Sequence, residues 1–493
     1  MPSAPRQESL TPIQRALFSL GTFGSAGPNT IVVQLQLYFT KYLGYPASVI
    51  SNVRGFSIIF DAVTDPLMGY ISDHTESRFG RRMPYIAIGA LFYAVGVIGM
   101  WFAPAGLSLW QFYLFLIAMQ VIFTIGVTMT SVPYYALIPE LAREYRVRTT
   151  LVSWMQAGTY LGTTWGALVR RYGEWRGDEI RGFQEFAVLC SIVMIASYAV
   201  IVLFVKEPPL SAEQHALLAA RRRDARAYLT KHIRGLGHSL GFALRDRHFL
   251  TLFLTVFTYQ AGVLAGLWMY TFLLDDWFGK TWNTPFAQQY LTGPLSVFRD
   301  AFFLYIFFAI GFGVFCLPVW NWIGKHLEKR TCLLIGILGI GLTYGSSFWL
   351  FAPKSFPLLI LYCLFQAFFY CAANIFPASM LADIATHSEW QRGEANEGMF
   401  YGANSFLMKL YNAAAIFWTG FALDHIVHYR PGEDAVQTAE TLFRMRVLYA
   451  APATVAALFA VFILLRYDLG RQKMAEVAEA LRRRSEESAG SDE

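Results

Sequence analysis

Residues 60–84, FDAVTDPLMGYISDHTESRFGRRMP, begin as a membrane segment and end as a polar loop. The apolar first half carries Asp61 and Asp65, and the second half carries Asp73, Glu76, Arg78, Arg81 and Arg82. On a helix the two aspartates lie one turn apart on one face. A carboxylate at mid-bilayer depth costs about 2.5–3.5 kcal/mol on insertion scales, so two on one face point to a polar cavity rather than lipid. A polar pair that only fastens helices together is the plainer alternative, but such fastening is usually neutral rather than doubly acidic.

The rest of the chain fits that membrane reading. Of 493 residues, 55% are hydrophobic and only 15% charged, well below the average of about 25% for soluble domains. Runs of membrane-span length recur, and twelve spans are expected at 15–40, 47–72, 83–103, 108–138, 149–170, 184–205, 248–278, 297–323, 331–351, 356–386, 397–427 and 442–466. The polar start, MPSAPRQESLTPIQR, has no short apolar core with a cleavage site, so the first span is expected to direct insertion. Arginine and lysine favour one set of loops: Arg78, Arg81 and Arg82; Arg143, Arg146 and Arg148; Lys325, Lys329 and Arg330; and a tail with Arg471, Lys473 and Arg482 to Arg484. The positive-inside rule places these loops and both termini in the cytoplasm. Residues 170–181, RRYGEWRGDEIR, run against this assignment.

The expected organisation is therefore a cytoplasmic N-terminus (1–14), a six-span half (15–205), a central cytoplasmic loop (206–247), a second six-span half (248–466) and a cytoplasmic tail (467–493). The basic run Arg221 to Arg223 in the central loop reads as a solvated helix near lipid headgroups, not a nucleic-acid site. The tail reads as a short charged helix followed by a disordered SEESAGSDE end. The halves echo one another. SVPYYALIPELAREYRVR closes span 4, and NIFPASMLADIATHSEWQR closes span 10 with Asp383 and Arg392 in comparable order. A parallel repeat of six spans matches major facilitator transporters, whose substrate site lies near the midplane. The fold class is an all-α membrane protein with the major facilitator fold.

Within the spans, Thr64 lies three residues after Asp61, and Pro66 frees the backbone carbonyl of Ala62. Carboxylates, a hydroxyl and a carbonyl are hard oxygen donors suited to a hard cation. Close like charges also raise one proton affinity, so Na⁺ and H⁺ both remain open. Lys409 sits near the middle of span 11, too deep for easy snorkelling, and reads as a counter-charge for the aspartates. Arg54, two turns before Asp61, reads equally as a snorkelling arginine or a ligand. Asn29 and Gln34, Thr128, Ser131 and Tyr134, Trp154 and Gln156, Tyr259, Gln260 and Trp268, Asn374 and Asn404 form a polar, aromatic set suited to a molecule with hydroxyls. Singly, each is more simply helix packing or interfacial belt. Five cysteines show neither metal spacing nor a disulfide framework. No hydrolase, metalloprotease or P-loop motif is present, so no enzyme is expected and no cofactor beyond Na⁺ or H⁺.

The run DAVTDPLMGYISDHTESRFGRRMP resembles the signature of the glycoside–pentoside–hexuronide:cation symporters, the melibiose permease group of the major facilitator superfamily. VPYYALIPEL at 132–141, MLADIATHSEW at 380–390 and EGMFYGANSFLMK at 397–409 extend the resemblance to essentially the whole chain. It implies that Asp61 and Asp65 are cation-binding carboxylates, Thr128 the threonine ligand of span 4, and Lys409 the lysine linking cation and sugar regions. Thr64 stands where melibiose permease has asparagine, and resembles the related sodium-coupled lysophospholipid symporters. Three charged sugar ligands of that permease are replaced by Ala26, Ser131 and Gln156, which argues against a galactoside.

Together these readings imply a cation-coupled symporter of a sugar or glycoside, working by alternating access. Asp73, Arg81, Arg82, Glu140 and Arg143 are expected to form cytoplasmic gating ion pairs. The alternatives are a sodium-coupled lysolipid symporter and a non-transporting sensor on the same fold. A small-molecule substrate and the lipid bilayer are the expected partners, without nucleic acid, for a monomer. Outside loops carry no N-x-S/T sequon, which fits a bacterial inner membrane.

Overall fold

The computed structural model describes residues 11–73, 75, 77, 79–104, 106–142, 145–205, 207, 240–267, 269–279, 281–392 and 397–491. A helix covers each of the twelve expected spans: α1 (Pro12–Val33), α2 (Ala47–Asp73), α3 (Met83–Trp101), α4 (Leu109–Ala136), α5 (Tyr145–Gly166), α6 (Glu179–Phe204), α7 (Arg247–Leu267), α8 (Ala301–His326), α9 (Lys329–Leu350), α10 (Phe356–Arg392), α11 (Glu397–Phe421) and α12 (Ala439–Leu464). No β-strand occurs among the described residues. Nine of these segments have the length and apolarity of a membrane span. The other three, α1, α2 and α5, are too rich in Gly, Ser, Thr and charged residues to qualify by composition.

Two compact units result. One comprises Met1–Leu229, Asn283–Ile306 and Arg430–Ala435; the other comprises Thr230–Trp282, Phe307–Tyr429 and Val436–Glu493. In the first unit, α1 packs on α5 and α6, α3 on α4 and α6, and α2 on α4. Contact between α1 and α5 is possible because Gly158, Gly162 and Gly166 repeat every fourth residue. A Cβ on any of them would collide with the α1 carbonyls of Ser19, Phe23 or Gly27, the close approach that small residues permit between membrane helices. The Thr22 hydroxyl adds a cross-helix bond to the Met155 carbonyl at 2.7 Å. Trp101 stacks on Phe183 with centroids 5.0 Å apart, and Tyr38 meets both edge-on.

The loop that runs against the charge rule carries its own neutralisation. Arg171 faces Glu174 at 2.7 Å, Arg176 faces Glu185 at 2.7 Å and Arg181 faces Asp178 at 3.4 Å. Arg170 is buried 3.9 Å from Asp300, with its guanidinium over the Phe302 ring. Asp300 and Phe302 come from the Asn283–Ile306 segment, which follows the central loop in sequence yet belongs to the first unit. Gly432, from the second such segment, donates its N–H to the Thr40 carbonyl at 3.0 Å.

In the second unit α7 packs on α12, where a Cβ at Gly262 or Gly266 would strike Pro452, Ala456 or Tyr449. Aromatic side chains fill this unit: the Tyr362 and Tyr449 hydroxyls share a 2.8 Å hydrogen bond beside Phe351 and Tyr344. The tail departs from expectation. One helix, α13 (Arg471–Ser491), runs through residues expected to be disordered. Those residues only have to extend a helix already nucleated by Arg471 to Arg484, which is far easier than starting one. Arg471 anchors its start by donating to the carbonyls of Gly324, Lys325 and Leu327, at 3.2, 3.1 and 3.0 Å. These carbonyls lie at the C-terminal end of α8, where intrahelical partners run out.

Candidate cation and substrate site

The α2–α4 contact brings together side chains far apart in sequence. Thr128 on α4, 2% exposed, donates its hydroxyl to Asp61 Oδ1 at 2.9 Å. Thr64 Oγ1 lies 3.3 Å from Thr128 Oγ1 and 3.4 Å from the Asp61 carbonyl. Asp61, Thr64 and Asp65 are half-buried, and Asp65 Oδ1 is itself buried, one turn beyond Asp61. The Thr128 proton is spent on a carboxylate, a charge-assisted bond contributing about 1.5–3 kcal/mol. The cluster gathers two carboxylates and two hydroxyl oxygens, hard oxygen donors of the kind a hard cation takes.

Sequence reasoning misses the residues that continue this seam. Ser57, one turn before Asp61, meets Thr124 and Gln120, one and two turns before Thr128. The available signal is a four-residue spacing on both helices, 57/61 and 120/124/128. Arg54 is 7% exposed and so is not a snorkelling side chain.

The expected substrate residues are distributed differently. Asn29, Trp154 and Gln156 are exposed on α1 and α5, and Ser131 is half-buried on α4. The Tyr134 hydroxyl donates to the Phe18 carbonyl at 2.6 Å while its ring stacks on Phe18. In the second unit the Tyr259 hydroxyl is likewise committed, to the Ala373 carbonyl at 2.8 Å, and Gln260 donates to it. These two tyrosines serve helix packing. Gln34 is fully buried. Asn374 is exposed and donates to the Tyr370 carbonyl, and Asn404 and Lys409 are half-buried on α11. Trp268 lies outside the described residues. Ala26, at the place of a charged sugar ligand in melibiose permease, faces Gly162 in the α1–α5 crossing, with no room there for a carboxylate. A cavity of about 360 Å³ in the second unit is lined by Lys329, Asp383, Tyr467, Asp468 and Arg471, none of them expected substrate residues.

Of the expected gate, Arg143 and the side chains of Asp73 and Glu140 lie outside the described residues. Arg81 and Arg82 converge on Glu207, at the start of the central loop: Arg81 Nε donates to it at 2.8 Å, and the Arg82 backbone N–H at 3.1 Å. Arg82 Nη1 also donates to the Ala136 carbonyl at 2.6 Å. Sequence reasoning does not find Glu207, because nothing local marks a partner 126 residues away. A comparable pair joins Lys329 Nζ to Asp383 at 2.7 Å in the second unit.

Comparison with known proteins bears on the whole chain. Residues 18–471 match the family model for MFS/sugar transport proteins. An uncharacterized symporter of Synechocystis is 25% identical, over 95% of this chain and 96% of its own length. A sodium-dependent lysophosphatidylcholine symporter of Gallus gallus is 22% identical, over 93% of this chain and 87% of its own. The solved inward-open structure of the xylose transporter XylE from E. coli matches the fold with a TM-score of 0.60 at 17% identity, covering 95% of this chain and 98% of that one. The chain thus belongs to the MFS/sugar transport family of membrane transporters, in the glycoside–pentoside–hexuronide:cation symporter group that its second span resembles.

Proposed function

We propose that the chain is a cation-coupled symporter working by alternating access, with Asp61, Thr64, Asp65 and Thr128 holding Na⁺ or H⁺. The observation that carries this reading is the Thr128 hydroxyl turned onto the Asp61 carboxylate, with Thr64 beside it and Asp65 one turn on. Cation binding offsets the repulsion between the two carboxylates and lets the transporter change state. Matched relatives named as symporters support the reading. Six-helix halves at 15–205 and 248–466, cytoplasmic termini and a bacterial inner membrane complete it. Lys409 couples cation and substrate, and the Arg81–Arg82–Glu207 cluster forms part of a cytoplasmic gate.

The substrate is a sugar or glycoside engaged by Asn29, Ser131, Trp154, Gln156, Asn374 and Asn404, and not a galactoside. Ala26 packed into a helix crossing supports that exclusion. The same observation favours a second reading, a lysolipid, for which the Gallus gallus relative is named. Ligand-induced stabilisation of purified protein separates them, using a sugar and lysolipid panel with and without Na⁺ and Asp65→Asn as control. A sugar that raises the melting temperature only with Na⁺, and not in the variant, supports coupled glycoside symport. A lysolipid response with silence across the sugars selects the second reading. Binding that ignores Na⁺, Li⁺ and pH alike would sink both.

A further inference from the structure

The polar seam between α2 and α4 does not stop at Asp61. Ser57 and Gln120 are each 5% exposed and Thr124 is 3% exposed. Gln120 Nε2 donates to Ser57 Oγ at 3.1 Å, the Ser57 and Thr124 hydroxyls are 2.5 Å apart, and Thr124 donates to the Gln120 backbone carbonyl at 2.9 Å. Since the Thr124 proton goes to that carbonyl, Ser57 is the donor in the hydroxyl pair. The three residues thus close a ring through the Gln120 backbone carbonyl, with both hydroxyl protons spent. Lone pairs are left over, and among the described residues Gln120 Oε1 is buried with no hydrogen-bond partner. An orphaned buried acceptor is destabilising, so this oxygen is a ready partner for a bound cation.

We propose that Gln120 Oε1, Ser57 Oγ and Thr124 Oγ1 form a transit site for a monovalent cation, one helical turn from the Asp61–Thr128 pair. The proposal rests on the reading of Asp61 and Asp65 as the coupling site. Ser57 precedes Asp61, and Thr124 precedes Thr128, by four residues each, so both steps follow one helix face. Neutral hard oxygens replace part of a hydration shell without holding the ion tightly, which is what passage through successive sites requires. Arg54, also buried, stands three residues before Ser57 and seven before Asp61 on the same helix.

The test is stopped-flow tryptophan fluorescence of the purified full-length protein mixed with Na⁺, Li⁺ or acid, against choline at equal ionic strength. Gln120→Met is compared with wild type, and Thr124→Val, an isosteric change, provides a second variant. Melting without cation verifies that each is folded. A transit site predicts a cation response about tenfold slower, with half-saturation within about twofold because the final site is untouched. Unchanged rates would overturn the proposal. So would a parallel loss of rate and affinity, which would make Gln120 a support for the Asp61 ligands. If Asp65→Asn keeps wild-type cation affinity, the underlying assignment fails, whatever Gln120 does.

Discussion

Helices α1, α2 and α5 and their sequence counterparts α7, α8 and α11 stand at corresponding places in the two expected six-span halves, yet they solve different problems. The second set reads as ordinary membrane helices, and α8 carries no charge before Lys325. The first set falls short of that standard, and α2 alone holds Arg54, Asp61, Asp65 and Asp73. Packing does not explain the difference, since glycine-mediated close contacts occur in both units, at Gly162 and at Gly262. Polar satisfaction does. The first unit joins its polar helices side chain to side chain, Ser57 to Thr124 and Thr128 to Asp61, whereas in the second, hydroxyls such as Tyr259 and Thr454 reach the backbone carbonyls of Ala373 and Gly341 among tyrosine and phenylalanine contacts. Polar residues are costly in a membrane and tend to be kept for function, which is why the proposed cation site is sought in the first unit.

Asp65→Asn tests that assignment most severely. Loss of one charged ligand at about 3 kcal/mol corresponds to a cation affinity lower by on the order of a hundredfold, with the fold retained. Sodium titration of purified variant and wild type measures it. Equal affinity would place the coupling chemistry elsewhere and remove the reason for the contrast. Next in size is Gly162→Leu, which forces a side chain against the Phe23 carbonyl and Ala26. Overpacking of this kind costs about 1–3 kcal/mol. Thermal melting should show that loss, and a variant as stable as wild type would mean that α1 and α5 can separate without penalty.

Much of this contrast is legible in the amino-acid sequence. Helices over all twelve expected spans are readable, nine of them as apolar runs of membrane length, and the Asp61–Asp65 spacing marks the polar face of α2 at once. The GxxxGxxxG of α5 is equally readable but easily lost among its hydroxyl residues. Other features are closed to sequence reasoning for physical reasons. Ser57, Gln120 and Thr124 acquire meaning only when the register of α2 against α4 is known. Glu207 and Asp300 find their arginines across 126 and 130 residues, a distance over which composition carries no signal. Tyr134 and Tyr259 look like cavity residues because a sequence shows a hydroxyl but not the backbone carbonyl that receives it.

Lys409→Gln sharpens the comparison from the other unit. Lys409 is the one charge between Met399 and Phe421 on α11, and its proposed task is to link two ligands rather than to hold either. A lost coupling of about 1–3 kcal/mol, five- to 150-fold, should appear in how far Na⁺ raises substrate affinity. Each ligand's affinity measured alone should change less. Calorimetric titration of substrate with and without Na⁺ reads both quantities. Intact coupling would confine the cation chemistry to the first unit entirely.

The smallest effect is expected at Glu185→Gln. The Arg176–Glu185 pair is close, at 2.7 Å, but its side chains are 45% and 37% exposed. Water and salt screen such a pair, and holding two long side chains together offsets most of the attraction. Melting of the variant should match wild type in low and high salt. The buried Arg170–Asp300 pair lies in the same region with its side chains 1% and 0% exposed, so Asp300→Asn is its internal standard. There a guanidinium would be left buried beside a neutral amide, and stability should fall clearly. Were the exposed pair to matter as much, the polarity of the first unit would be holding its fold together. The inference from polar helices to transport chemistry would then lose its footing.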